Sequence, residues 1–471
     1  MGTLAHHRPT GTQQALVGPE TLGSARFRAD HGVRYAYAAG SMYKAVASED
    51  LVVRMGRAGL LSFFGAGGLR PEQVVAAIGR FRRELGDGPY GVNLLASAEN
   101  PAREEEQVDV LLRHRVRLVE AASFVLPTPS LVRYRLAGLR RDRDGSVHVP
   151  NRVMAKVSRP EVAQAFLAPA PRALVEHLLD RGRITADEAE LAQYVPLADD
   201  LCAEADSGGH TDQRQLVIVL PDTVRQRDRA ARGFPPAARV RVGAAGGLGD
   251  PHAVAAAFVL GADFVLTGSI NQCTVECGTS DRVKDMLQTA EAHDMATVPA
   301  GDMLETGARA QVFRRGLFYP ARANKLYELY RRYDSLEDLD PATAEQIQRR
   351  YFGRSFEEVW QETREYYAQA NPASLELAER DPKHRMLLVF KAYFVHSIRS
   401  AMGGSERHLV DYQINCGPAM GALNGYLRGT GREDWRDRHV DDLAELLMRG
   451  AADLLSERFA AWAAPDAWRQ P

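Results

Sequence analysis

RVRVGAAGGLGDPHAVAAAFVLGADFVLTGS, residues 239–269, holds two short apolar runs, each ending in glycine, with one helical pattern between them. Arg239–Gly243 and Asp263–Thr267 have the valine, alanine and phenylalanine content of buried strands. Asp250-Pro251 sets a helix N-cap and a first-turn proline ahead of Ala253–Leu260. Strand, helix and second strand make one βαβ unit, the building block of a parallel sheet. Upstream, the same alternation gives Tyr35–Ala39, Gly59–Phe64, Tyr90–Leu95, Arg117–Ala121, Val153–Val157 and Asp200–Ala205, eight strands in all. Eight alternating units favour an α/β fold closed as a (β/α)8 TIM barrel over an open doubly wound sheet.

Two connections are long. Gly138–Asn151, between the fourth and fifth strands, carries an Asp144-Gly145 turn and reads as a small hairpin. Ser158–Ala198, between the fifth and sixth, has room for two or three short helices, one opened by the capping box Thr185-Ala-Asp-Glu188, and is expected to wall the pocket. After Pro320 the strand signal gives way to helices: Asp340-Pro341 and Asp381-Pro382 pair N-caps with proline, and Ser355-Phe-Glu-Glu358 is another capping box. Leu443, Leu446, Leu447, Ala451, Leu454 and Leu455 share one helical face. The expected organisation is an N-terminal extension over 1–30, the barrel over 31–319 with its insertion near 158–198, and an all-helical domain over 320–471.

Composition narrows the function. With 45% hydrophobic and 25% charged residues the 471-residue chain is globular, and a net charge of −2 supplies no field for nucleic acid or an anionic membrane. No apolar run reaches the length of a spanning helix, and Pro9, Pro19 and scattered charges interrupt the first thirty residues, so a cytoplasmic protein is expected. Cys202, Cys273, Cys277 and Cys416 are too few for a disulfide framework, and no metal site is expected. Lysine is scarce, at six residues: Lys44, Lys156, Lys284, Lys325, Lys383 and Lys391. A lysine inside a strand is therefore conspicuous.

The chemistry concentrates at strand ends. Gly65-Ala-Gly-Gly68, Gly243–Gly249 and Thr267-Gly-Ser269 let backbone N–H groups approach a ligand, and a phosphate is expected on the last two, through Gly246, Gly247, Thr267, Gly268 and Ser269. Ala39-Gly40-Ser41-Met42 would lie against a flat ligand, and Asn93 offers an amide to the edge of an isoalloxazine or a base. Lys156, in Val153-Met-Ala-Lys-Val157, reads either as a buried ion pair with a barrel carboxylate or as a cation at the N1/O2 edge of a flavin. In Glu204-Ala-Asp-Ser-Gly-Gly-His210, Ser207-Gly208-Gly209 can lie flat against a ring and His210 then projects into the pocket as an acid or base. Glu204 and Asp206 either orient it or are satisfied strand-end carboxylates.

These segments, with Phe63–Leu69, Ala155–Pro160, Ala198–Asp200, Gly278-Thr-Ser280, Gln311-Val-Phe313 and Arg322–Leu326, resemble the nitronate monooxygenase-like flavin barrels. Within these they are most similar to the PfaD-type trans-acting enoyl reductases of polyunsaturated fatty acid and polyketide synthases, from about residue 30 to 460. The resemblance implies FMN as prosthetic group, NADPH as electron donor and an enoyl substrate tethered to an acyl carrier protein of a synthase. It implies His210 as the group that polarises the thioester carbonyl or donates the α-proton. A nitronate monooxygenase-like oxidase and a non-catalytic barrel scaffold are the alternatives. Arg331-Arg332 and Arg349-Arg350 with Arg354 are expected as a basic face for an acidic carrier. Cys273, in Asn271–Cys277, faintly resembles the cysteine loop of IMP dehydrogenase, whose nucleophile follows a different strand. The oligomeric state is left open, a homodimer among the possibilities.

Overall fold

The computed structural model describes residues 17–97, 100–210, 212, 214–235 and 238–463; the first sixteen residues of the expected N-terminal extension lie outside the described residues. In chain order the strands are β1 (Tyr37–Ala39), β2 (Leu61–Phe64), β3 (Gly91–Leu95), β4 (Leu118–Ala122), β5 (Arg140–Arg141), β6 (Val147–His148) and β7 (Arg152–Val157). They continue with β8 (Asp200–Glu204), β9 (Gly209–His210), β10 (Arg241–Ala245), β11 (Val265–Thr267), β12 (Met295–Pro299) and β13 (Arg309–Phe313). Eight of them close a parallel barrel, β1-β2-β3-β4-β7-β8-β10-β11, with Ala39 paired to Thr267 across the closure. These are the eight strands read from the sequence, shifted at their ends by no more than two residues.

Alternation along the strands separates the interior from the layer beneath the helices. Ala38, Leu61, Phe63, Leu118, Met154, Cys202, Ala245 and Leu266 form one buried cluster that fills the barrel, while Tyr37, Phe64, Val92, Val119 and Val265 join the larger cluster under the helices. The short helix Ala25–His31 plugs the closed end: its Phe27 stacks on Phe264, and His31 Nε2 lies 2.9 Å from Asp200 Oδ2. Arg241 Nε donates to Asp200 Oδ1 at 2.5 Å from the other side and also pairs with Asp30.

The expected hairpin forms as β5 and β6. The insertion folds into the helices Pro160–Leu167, Arg172–Asp180 and Ala186–Leu191, the last with its capping box in place. Its start reaches the mouth, where Ser158 and Arg159 bond Asp212, two residues past His210. Arg172–Asp180 packs on Pro129–Leu136, Ala186–Leu191 sits beside β5, and Arg183 pairs with Glu105, so these helices cover the outer flank. Loop length alone does not say which side of a barrel an insertion covers.

Two strands were not anticipated: β12 and β13 form an antiparallel sheet that β9 extends at the barrel mouth, pairing Ala310 with His210. Beyond it, Tyr319–Arg332, Phe356–Ala370 and Pro382–Met402 build a second core around Leu326, Val359, Trp360, Phe390 and Tyr393. The hydrophobic clusters do not follow a boundary at residue 320. Ala419–Leu427 and Val440–Ala463 return to the barrel core, and a Cβ on Gly450 would stand 2.6 Å from Pro251 Cγ.

Candidate functional site

The interior positions nearest the C-terminal ends of four adjacent strands carry polar groups: Asn93 on β3, Glu120 on β4, Lys156 on β7 and Glu204 on β8. Lys156 Nζ lies 2.9 Å from Glu204 Oε1, so of the two readings of this lysine the ion pair with a barrel carboxylate forms. Burial works against its charge, but Glu204 and Glu120 hold its pKa above the ordinary lysine value. Glu120 is fully buried; burial pushes its pKa up, and Lys156 and Ser41 oppose the rise. It accepts the Ser41 N–H at 3.3 Å and the Ser41 hydroxyl, while its carbonyl accepts from Asn93 Nδ2 at 3.3 Å. Gly40 is needed here, since a Cβ would lie 2.6 Å from Leu266 Cδ2 and 3.2 Å from Glu120 Oε1. Met42 completes the loop, its carbonyl 1.8 Å from where a Cβ on Gly65 would stand.

The two expected phosphate loops leave adjacent strands, with Ala245 on β10 paired to Leu266 on β11. Gly246 and Gly247 have φ of 89° and 69°, and a Cβ on Gly246 would overlap the Ala205 carbonyl at 1.7 Å. Among the described residues no acceptor pairs with the N–H groups of Gly247, Leu248, Gly268 or Ser269. Unpaired donors on two neighbouring glycine loops fit an anionic phosphate. The Thr267 hydroxyl is committed to Tyr37 at 2.5 Å and Asn271 at 3.2 Å, so its side chain buttresses the loop. Ser269 Oγ accepts the Gly417 N–H at 2.9 Å. The segment Cys416–Ala419 seats against Gly208 and Gly249, where a Cβ would meet Cys416 Cα at 2.8 Å and the Ala419 carbonyl at 2.0 Å.

His210 stands on β9 after the left-handed Gly209, φ 81°, and Ser207 contributes its carbonyl to Gln311 Nε2 at 3.0 Å. His210 Nε2 lies 2.9 Å from Asp302 Oδ1, and Nδ1 is 3.5 Å from Ser123 Oγ. Burial disfavours the imidazolium, yet the hydrogen bond and charge of Asp302 leave the pKa above the ordinary histidine value. The carboxylate that orients His210 is thus neither Glu204, which holds Lys156, nor Asp206, which accepts from Gln311 Nε2 at 3.1 Å. Sequence reading missed Asp302, which lies 92 residues downstream in the turn Gly301–Thr306. It also missed Glu120, although an acidic residue inside Leu-Val-Glu-Ala-Ala is the same signal that singled out Lys156.

Cys273 is buried against Arg438 Nη1 at 3.5 Å, and burial pushes its thiol up to about 12, which leaves it inert at neutral pH. Arg349 and Arg350 are exposed on the turn Gln348–Phe352, while Arg354 pairs with Glu362.

A polar barrel mouth, paired glycine loops and a carboxylate-held histidine meet at one end of the barrel, and comparison with known proteins assigns the family. The sequence model described as nitronate monooxygenase matches residues 26–315, and one described as the inserted helical domain of [acyl-carrier-protein] S-malonyltransferase matches 333–412. The chain belongs to the nitronate monooxygenase family, in its PfaD-type branch. It is 48% identical over 463 residues to the polyketide biosynthesis protein PksE of Bacillus subtilis (strain 168), covering 98% of this chain and 60% of that protein. It is 48% identical over 444 residues to the polyketide biosynthesis protein ThaF of Burkholderia thailandensis, covering 93% of this chain and 38% of that protein. Similarity extends to the polyunsaturated fatty acid synthase of Thraustochytrium sp., at 44% identity over 437 residues of one of its polypeptides, covering 91% of this chain and 29% of that polypeptide. The crystal structure of the enoyl reductase domain of MlnA, from the macrolactin biosynthesis cluster of Bacillus amyloliquefaciens, superposes with a TM-score of 0.89 at 39% identity, covering 94% of this chain and 99% of that one. The chain therefore spans less than two thirds of the length of these curated relatives. No helix among the described residues is long and apolar enough to cross a membrane.

Proposed function

We propose that this chain is an FMN-dependent enoyl-thioester reductase that works in trans, with NADPH as donor, on 2-enoyl groups carried by an acyl carrier protein of a polyketide or polyunsaturated fatty acid synthase. The family assignment and the likeness to the MlnA domain support the reaction class. The observation that carries the reading is the His210–Asp302 pair, set by β9 at the same mouth as the unpaired N–H groups of the β10 and β11 loops.

Each part of the mouth has a task. The N–H groups of Gly247, Leu248, Gly268 and Ser269 would hold the FMN phosphate, and Gly40, Ser41, Met42 and Asn93 would line the ring, with Gly208 and Gly209 opposite. Lys156 supplies positive charge beside the flavin site, which favours an electron-rich ring. FMN held there would supply hydride chemistry, suited to the β-carbon of an alkene made electron-poor by its thioester carbonyl. His210, whose imidazolium Asp302 favours, would polarise that carbonyl oxygen or return a proton to the α-carbon, with Nδ1 as the atom that Asp302 leaves available. A nitronate oxidase would use the same histidine as a neutral base. Asp302 would strengthen that base as well as stabilise the acid, so the preference for the reductase reading rests on the likeness to the MlnA enoyl reductase domain.

The deciding experiment is the absorbance spectrum of the purified protein, followed anaerobically by NADPH and then by a crotonyl thioester. A yellow protein that bleaches with NADPH and recovers with the thioester supports the reading. Recovery only with oxygen and a nitroalkane would replace it with the oxidase, and a colourless protein that takes up no FMN would favour the scaffold.

A further inference from the structure

The loop after β1 carries Lys44 and Ala45 at φ of 52° and 57°, two successive residues with side chains in the left-handed region. Such strain persists where the surroundings enforce it. Here they do: the Lys44 N–H donates to the Gly67 carbonyl at 2.9 Å, the Ala45 N–H to Gly65 at 2.8 Å, and the Gly278 N–H to the Val46 carbonyl at 3.0 Å. Tyr43 covers Gly68, where a Cβ would lie 2.5 Å from the ring, and Lys44 Nζ stands 5.6 Å from that ring's centroid.

Two further cations reach the same spot from other elements. Arg103, on the helix Pro101–Arg113, extends Nη2 to 3.5 Å from the Leu69 carbonyl, one residue past Gly68. Arg399 is in the last turn of Pro382–Met402, whose end is tied down by the Ser280 hydroxyl donating to the Ala401 carbonyl at 2.6 Å, two residues beyond Gly278. Among the described residues none of the three has a carboxylate within ion-pairing distance. Burial lowers the Lys44 pKa, and repulsion from Arg399 and Arg103 lowers it further, so the three charges feel one another. Arg103 is also the third residue of its helix, at the positive end of the dipole, where a cation is unfavourable. Three gathered cations, one on strained backbone and one against a dipole, share contacts with a carbonyl and a ring, but no anion among the described residues offsets their charge. The exposed ring of Tyr43 stands beside them, in the loop whose Ser41 N–H and hydroxyl donate to Glu120 at the barrel mouth.

We propose that Lys44, Arg103 and Arg399 form a recognition site for the phosphate of an incoming reactant. Resting on the reductase reading, that phosphate arrives on one of two carriers: the adenosine 2′-phosphate end of NADPH, or the phosphopantetheine arm that presents the enoyl group. Both offer a compact dianionic or monoanionic phosphate on a flexible tether, which arginine and lysine from separate elements can clasp.

The test is equilibrium binding by calorimetry to the full chain, with adenosine 2′,5′-bisphosphate and 4′-phosphopantetheine as probes and unphosphorylated pantetheine as control. The expected result is that one phosphorylated probe binds, that binding weakens with added salt, and that Lys44→Gln, Arg103→Gln and Arg399→Gln each weaken it about tenfold or more, the loss of one charge-assisted bond. Binding of the bisphosphate alone assigns the site to the electron donor; binding of phosphopantetheine alone assigns it to the carrier arm. The proposal falls if neither probe binds, or if all three variants, with melting temperatures at or above wild type, bind as the parent does. The readout needs no turnover. A chain that binds a probe through these residues yet reduces no thioester would keep the site and lose the reductase.

Discussion

At the closed end of the barrel Asp200 sits between Arg241 and His31; at the open end Glu120 and Glu204 share Lys156. Both clusters are buried, and their charge is settled differently. Burial acts against the Asp200 carboxylate, but Arg241 and His31 hold its pKa far below the ordinary range. At the open end one cation serves two carboxylates, and Glu120 is left with a raised pKa. The closed end is electrostatically finished and serves stability; the open end retains unspent proton and charge capacity, as a reactive face requires.

The largest effect expected is from Asp200→Ala. Leaving Arg241 buried without its main partner should cost about 3–5 kcal/mol, read as a lowered denaturation midpoint. Because the folded Asp200 pKa is depressed, the stability it contributes is present above the unfolded carboxylate pKa and is lost as pH falls. The difference between wild type and variant should therefore shrink in acid. An equal difference at every pH would break the contrast.

Lys156→Met should destabilise somewhat less, and its penalty too should be largest at neutral pH, by a different route. Without the cation, Glu120 rises further, and a carboxyl whose folded pKa is raised loses stability as pH climbs through the carboxylate range. Thermal melts should show the variant weakest at neutral pH and recovering in acid, and equilibrium dialysis should show weaker FMN binding. A flat pH profile would mean that the two carboxylates are not coupled through Lys156.

Changes at His210 belong to chemistry alone. His210→Ala should keep its flavin colour and its bleaching by NADPH, while reoxidation by an enoyl thioester slows by about 10²–10⁴-fold in stopped flow. Asp302→Asn should slow it less and shift the profile: with the stabilising charge gone, the imidazolium is lost at lower pH and the alkaline fall in rate moves down. Unchanged reoxidation in His210→Ala would remove that residue from the mechanism. The smallest effect is expected from Arg349→Glu with Arg350→Glu, a several-fold higher KM for carrier-bound substrate and no change with a small thioester; equal loss with both would argue against docking there.

The barrel was legible because each strand is a short apolar run closed by glycine or a helix cap, as in Arg241–Ala245 before Gly246 and Asp250. The glycine loops and Lys156 were legible because residue type alone marks them. Asp302 was not: its meaning depends on β12 and β13, whose pairing brings the turn Gly301–Thr306 to β9, and two five-residue strands of mixed polarity carry little periodic signal. Glu120 could have been found by parity, since Leu118 and Glu120 share the inward face. The position of the insertion and the return of Ala419–Leu427 and Val440–Ala463 to the barrel depend on which surfaces remain uncovered after folding, a property of the assembled chain.

That return has a practical corollary for anyone transplanting this barrel. The rim of the cylinder rests on residues 416–419, and its outer helix Pro251–Val259 lies under Val440–Ala463. A chimera cut where the strands stop would export the phosphate loops without their back wall. A portable cassette has to run from the plug helix to the final long helix, and the helical excursion between them is the part open to exchange.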